Sequence, residues 1–244
     1  MKQPRIYCDL SLTACAEVSL RDERHHYLAH VLRLGAGDAV SLFNGNVEFA
    51  GKVTAVERHS SRVLCEREVT LLPPSRLHIT LYLSLAKSRS MDPAVQKATE
   101  LGAAFVRPVI AAHSIATLGS AERKLEHWRG IARSACEQCG RSDLPQIAAP
   151  VPFEEIEVPE NAAGFVLDPD SDDSLIAAAD ALSAAHMAAL IGPEGGLSED
   201  EVRVAGMKGF KPVSIGPRLL RVETAVAATL SLLQACAGDL APGA

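Results

Sequence analysis

Two glycine-rich turns near the C-terminus hold the residues best placed to do chemistry. The first is Leu190-Ile191-Gly192-Pro193-Glu194-Gly195-Gly196-Leu197-Ser198, and the second is Ile215-Gly216-Pro217-Arg218-Leu219-Leu220-Arg221-Val222-Glu223-Thr224-Ala225. Each follows a short apolar run and opens an apparent helix. Glycine lets the backbone take positive φ and lets a ligand approach the main chain closely. Two such turns at adjacent strand ends would place free backbone groups around one crevice, where open α/β sheets bind ligands. Arg221 and Glu223 stand at the end of the second turn. A fixed guanidinium stabilises negative charge that develops on a reacting group. A carboxylate two residues on can orient it or relay a proton. The plainer alternatives are an Arg221–Glu223 salt bridge and an acid favoured at a helix N-terminus. Neither turn has the G-x-x-x-x-G-K-[ST] or G-x-G-x-x-G pattern of the common nucleotide loops.

The elements that must hold these turns form an alternating series. Leu77–Leu85 reads as a strand. Asp92-Pro93 reads as an N-cap with proline at the first helical position, for a helix closed by Gly102. Strand Phe105–Ile110 and a long helix capped by Ser120 and running to about Gln138 follow. Phe165–Leu167, Met187–Ile191 and Pro212–Ile215 are further strands. Ser198 and Glu201 form a capping box, and Glu223–Ala237 is the last helix. Strand–helix alternation implies an α/β fold with a mainly parallel sheet.

Residues 1–72 read differently. Ala39–Phe43, Glu48–Val56 and Arg62–Val69 are short strands, with Asn44-Gly45-Asn46 as a hairpin turn. One helix, about Glu23–Arg33, ends at Gly35. This is the pattern of a small β-barrel. Leu71-Leu72-Pro73-Pro74-Ser75 reads as a linker. The chain therefore divides into a first domain at 1–72 and a second at 73–244.

Composition bounds the function. The chain has 244 residues, of which 48% are hydrophobic and only 4% aromatic, so its core is mostly aliphatic. No apolar stretch reaches the roughly 18 residues of a membrane span. The N-terminus lacks the apolar region of a signal peptide. The six cysteines then read as reduced thiols, and the expected location is cytoplasmic. Net charge is −6, which argues mildly against RNA, but local balance matters more. Lys87–Arg141 carries nine basic and five acidic residues, so a basic middle segment can face phosphate. Within it, Lys87 and Arg89 follow the first strand of the second domain, Lys97 lies on the next helix, and Gln138 and Arg141 close the long one. Cys136-x-x-Cys139 has no second pair at zinc spacing and sits at a helix end. His26 and His30 share a helix face without a third ligand, so no metal is expected. His26 and Arg33 fit an RNA-facing or interdomain surface better.

The two glycine turns, together with Gln96-Lys97-Ala98-Thr99-Glu100-Leu101-Gly102 and Ala135-Cys136-Glu137-Gln138-Cys139-Gly140-Arg141, occur in one order at one spacing. Together they resemble the small-subunit ribosomal RNA uridine-N3 methyltransferases, of the SPOUT class of knotted AdoMet enzymes. The resemblance runs from about Arg5 to Asp239. It implies a C-terminal trefoil knot, an N-terminal PUA-like RNA-binding barrel, a homodimer, and 16S rRNA of the small subunit as substrate. It implies S-adenosyl-L-methionine as methyl donor, with Leu167, Gly192, Gly196, Ile215 and Leu220 as contacts and Leu167, Ile191 and Leu220 sandwiching the base. It places the segment of Gln138 and Arg141 near the active site, as RNA contacts; beside it, the residues themselves offer Arg221 and Glu223 as the catalytic pair and His26, Arg33, Lys87, Arg89 and Lys97 as further RNA contacts. The chain departs from the family twice. Asp168-Pro169 replaces a histidine-proline pair, and Ser90 replaces a basic residue, with Arg89 one place earlier. Two rival readings stay open: a SPOUT enzyme acting on ribose 2′-OH or a transfer RNA base, and a noncatalytic RNA-binding assembly protein.

Overall fold

The structure is a computed structural model that describes residues 3–114, 117–182 and 184–241. By internal contacts the chain forms two units, 1–74 with 133–144, and 75–132 with 145–244.

The first unit is a five-stranded sheet in the order β1-β3-β4-β5-β2. Its strands are β1 Arg5–Tyr7, β2 Glu17–Arg21, β3 Ala39–Phe43, β4 Glu48–Val56 and β5 Ser60–Val69. Only β1 and β3 run parallel. The Asn44 carboxamide closes the β3–β4 turn by accepting the N–H groups of Asn46 and Val47, both at 3.1 Å. Register shifts at Ala50/Gly51 and Val53/Ala55 bend β4 and β5, as bulges do. The bend lets one face close over Ile6, Leu20, Leu28, Val40, Leu42 and Val63.

The expected helix from Glu23 to Arg33 is not a continuous α-helix. It is α1 Asp22–His26 followed by a π-helical stretch Tyr27–Val31. The Leu32 N–H reaches back to the Tyr27 carbonyl at 2.9 Å, the wide i→i−5 spacing that defines a π turn. Arg33, at φ +56°, ends the stretch where glycine is usual, and the expectation had placed the end at Gly35. Segment 133–144 joins this unit through Arg5. Its guanidinium pairs with Glu48 at 2.8 Å and donates to the Cys136 carbonyl at 2.7 Å and to Ser142 Oγ at 3.0 Å. The Tyr7 N–H donates to Glu137 at 2.9 Å. A buried charge requires such full satisfaction.

The second unit is a seven-stranded, all-parallel sheet. It is built from β6 His78–Ser84, β7 Ala103–Ile110, β8 Gln146–Ile147, β9 Val151–Pro152, β10 Ala163–Leu167, β11 His186–Ile191 and β12 Phe210–Val213. Their order is β12-β10-β11-β6-β7-β8, with β9 also on β7. Alternate residues bury on opposite faces. Ile79, Leu81, Leu83, Phe165 and Ala189 face one core, and Tyr82, Val166, Ala188 and Leu190 the other. Burial on both faces is what a parallel sheet requires.

The helices are α2 Ser88–Glu100, α3 Leu118–Glu122, α4 Leu125–Cys139, α5 Leu175–Asp180, α6 Glu199–Met207 and α7 Val222–Ala237. From Arg133 onward α4 groups with the first unit. Helix α7 packs against α2 and α5.

Two helix starts differ from expectation. Helix α2 begins at Ser88 with Lys87 as N-cap, so Pro93 lies inside it. Asp92 is not the cap, and its carboxylate meets His127 Nε2 at 3.0 Å. The expected long helix is two, and Ser120 is the third residue of α3, in a capping box with Thr117. The box at Ser198 and Glu201 forms as the spacing predicts.

Candidate functional site: a cleft between two turns

The C-terminal ends of β10, β11 and β12 open into a cleft of about 320 Å³. This lies at the small end of the ligand-site range. The six residues expected to hold a cofactor, Leu167, Ile191, Gly192, Gly196, Ile215 and Leu220, all line it. Each reaches it for a sequence reason. Leu167 and Ile191 are the last residues of adjacent strands, paired in parallel register. The others lie in the turns that follow β11 and β12.

The two turns are built differently. In the first, the Gly196 N–H donates to the Pro193 carbonyl at 2.9 Å. His113 Nδ1 lies 3.2 Å from the Gly196 carbonyl. Glu201 accepts the Ser198 N–H at 2.8 Å and the Ala112 N–H at 2.7 Å. Glu194 accepts the Lys87 N–H at 3.2 Å and the Ser90 hydroxyl at 2.9 Å. Partial burial works to raise the Glu194 carboxyl. The hydrogen bonds from its own N–H, Ser90 and Lys87, with the Lys87 charge, outweigh it and hold the group below the usual carboxylate range.

In the second turn, among the described residues, only Ser214 serves the backbone, its Oγ accepting the Gly216 N–H at 3.2 Å. Leu219 is 86% exposed. Arg218 lines the cleft. Arg221 is the exposed N-cap of α7, without a side-chain capping bond and with no ion pair among the described residues. Its neighbours Leu220 and Val222 line the cleft, but Arg221 does not. No ion pair joins it to Glu223, whose Oε2 is buried without a partner.

The cleft suits a molecule with an apolar base and a polar tail. Leu167, Ile191 and Leu220 are apolar walls, and turn backbone supplies donors and acceptors between them. Gly196 and Gly216 have φ of +72° and +117°, and a Cβ at either would point into open space. Both positions thus need glycine for conformation while leaving room for a ligand. A Cβ at Gly192 would instead meet Leu197 at 3.1 Å, so that glycine permits the turn's own packing.

The expected RNA-contact residues have varied surroundings. Lys87 and Arg89 are exposed at the start of α2, and Lys97 pairs with Glu100 at 2.7 Å. His26, Arg33 and Gln138 are exposed on the first unit. Arg141 is buried there, and its guanidinium pairs with Asp143 at 2.7 Å. Burial pushes the Cys136 thiol up to about 12. Among the described residues no group of three metal-ligating side chains occurs. No helix among them is long and apolar enough to cross a membrane.

Sequence reasoning passed over Arg218, Glu194 and His113 as site residues. Arg218 lay inside the second motif, and a second cation there was a usable signal. The Glu194–Ser90 and His113–Gly196 contacts join residues 104 and 83 positions apart in the chain, respectively, and no local pattern announces them.

A unit built on a parallel sheet with a glycine-lined cleft at its strand ends, in a chain whose other unit is a small bulged sheet, is the architecture of an RNA methyltransferase of the SPOUT class. Residues 73–234 match the family model of the RNA methyltransferase domain, and residues 20–64 that of the RNA methyltransferase PUA domain. Ribosomal RNA small subunit methyltransferase E of Buchnera aphidicola from Schizaphis graminum is 31% identical, over 97% of this chain and 98% of its own. The Synechocystis protein of that name is 33% identical, over 90% and 73%. The crystal structure of the Neisseria gonorrhoeae protein of that name, bound to S-adenosyl methionine, superposes with a TM-score of 0.89. It is 30% identical, covering 98% of this chain and 100% of that one. The chain belongs to the ribosomal RNA small subunit methyltransferase E family.

Proposed function

We propose that this protein transfers the methyl group of S-adenosyl-L-methionine to N3 of one uridine in 16S rRNA. The cleft between the two turns carries the reading, because apolar walls and free turn backbone meet there beside Arg218 and Arg221. Bound in the cleft, the cofactor supplies a sulfonium methyl. The N3–carbon bond forms as the sulfur–carbon bond breaks, and the N3 proton leaves. Neutral N3 is a poor nucleophile, so the protein must align it and favour loss of its proton. Alignment alone supplies several kcal/mol, within the roughly 7–11 available to well-oriented reactants. The unpaired Arg221 guanidinium is free to bind O2 or O4 of the base and stabilise the developing uridinate. Glu223, with an unpartnered carboxylate oxygen, orients that arginine or accepts the proton.

The first unit, with His26, Arg33 and Gln138 exposed, binds RNA, while buried Arg141 shapes the segment that presents Gln138. Lys87, Arg89 and Lys97 bind phosphate beside the cleft. The protein works in the cytoplasm as a homodimer, with the exposed Leu219 and part of α7 at the interface. Mass mapping of 16S rRNA from a deletion strain, with and without added protein, tests the reading. A single missing methyl on a uridine base, restored by the protein, is expected. Restoration of a ribose 2′-O-methyl, or no change, would overturn it.

A further inference from the structure

Helix α2 has no side-chain cap of its own. Its N-terminus is served from elsewhere, by Glu194 of the cleft turn. That carboxylate takes the N–H of Lys87, the N-cap, at 3.2 Å and the hydroxyl of Ser90, one turn in, at 2.9 Å. Ser90 is buried, so its hydroxyl is committed to this contact. The negative charge also suits the positive end of the helix. Lys124 Nζ, which donates to Ser88, and the His127–Asp92 pair secure the rest of the first two turns of α2 to α4. Two exposed cations, Lys87 and Arg89, ride on the backbone so held. Glu194 itself lines the cleft. One side chain therefore joins the turn that contacts a cleft ligand to the segment that carries the phosphate-binding cations.

We propose that Glu194 is a positioning residue that makes placement of Lys87 and Arg89 on RNA depend on occupancy of the cleft, through its bonds to Lys87 and Ser90. The proposal rests on the cleft being the AdoMet site. The coupling is reciprocal: a cofactor that orders the turn tightens RNA, and RNA tightens the cofactor.

The test uses full-length protein, a 16S rRNA fragment containing the methylated uridine, and S-adenosylhomocysteine as the unreactive cleft ligand. RNA affinity is measured by anisotropy with and without it. Its own affinity is measured by calorimetry. In the wild type it should tighten RNA by at least about 5-fold, the low end of ordinary coupling. Ser90→Ala should bind it with unchanged affinity yet lose most of that tightening. Glu194→Ala should lose all of it, and Glu194→Gln, which keeps an acceptor oxygen, should retain part. Circular dichroism shows whether each variant is folded. Full coupling in folded Ser90→Ala and Glu194→Ala, or absence of coupling in a wild type that binds the ligand, would overturn the proposal alone. Absence of ligand binding in the wild type would overturn the cofactor reading and the proposal with it.

Discussion

The two glycine turns follow β11 and β12, the strands on either side of β10, close on one cleft, and are held very differently. The Gly192–Ser198 turn is braced from three sides, by Glu201, by His113 and by the bonds of Glu194 to Lys87 and Ser90. The Gly216–Arg221 turn rests, among the described residues, on Ser214 alone and leaves Leu219, Arg218 and Arg221 toward solvent. A braced turn is preorganised, and preorganised contacts lose little ordering entropy on binding. An unbraced turn with unpaired cations acquires its partners from RNA, cofactor or a second subunit. The difference divides the labour: the first turn fixes the cofactor, and the second brings charge to the substrate.

Replacing a glycine of the braced turn should have the largest effect. Gly196→Val puts a β-branched residue at φ +72° and fills space left for the ligand. AdoMet binding should fall below detection by calorimetry. The backbone strain of about 1–2 kcal/mol is small against a stability of about 5–15 kcal/mol, so the circular dichroism spectrum should persist. Unchanged affinity in a folded variant would move the cofactor site elsewhere.

Arg221→Ala probes the unbraced turn and should act on rate rather than on cofactor affinity. Loss of one donor to developing charge costs about 100-fold or more. Arg221→Lys should rescue only partly, since an ammonium lacks the planar fork. Raising pH from 7 to 10 should partly restore the alanine variant in single-turnover methylation, because the uridine N3 proton then leaves without help. A wild-type rate, or a loss explained wholly by weaker RNA binding, would make Arg221 a structural residue.

Leu219→Asp tests whether a second subunit covers this turn. Analytical ultracentrifugation at micromolar concentration should show a dimer for the wild type and a monomer for the variant. A fully active wild-type monomer would mean that the turn needs no partner.

The smallest expected effect is a control at the other end of β11. Burial, then the neighbouring His78, holds His186 below its ordinary value of 6.5. The unfolded chain takes up the proton first as pH falls, so this contribution to stability is full above about 6.5. It is lost as pH falls from there toward the lower folded value. His186→Gln should flatten the melting temperature between pH 5 and 7 and leave AdoMet affinity unchanged. An unaltered pH slope would remove His186 from the account.

Much of the second unit was legible because its signals are local. Alternating or continuous apolar runs marked β6, β7, β10 and β11, and the Ser198–Glu201 spacing marked the start of α6. Glycine turns after apolar runs pointed to one crevice at strand ends, and the family resemblance supplied the six expected cofactor contacts, which are among the residues that line it. The signals that misled were also local. Asp92-Pro93 reads as a helix start, but bonds from Ser90 and Met91 to the Lys87 carbonyl begin α2 earlier. Ser120 reads as an N-cap but serves as the acceptor at the third position of α3. Contacts distant in sequence carried no pattern at all. Arg5 with Glu48, Cys136 and Ser142, and Glu194 with Ser90, are visible only in the folded chain.

Hydrogen–deuterium exchange on the full-length wild-type protein, with and without AdoMet, tests the contrast between the turns most directly. In the free protein, amides of 192–198 should exchange more slowly than those of 216–221, because only the first turn is braced. AdoMet should slow both segments, with the larger change in 216–221, and leave residues 39–69 of the first unit unaltered. Equal exchange of the two turns in the free protein, or AdoMet protection confined to some other part of the chain, would contradict the account.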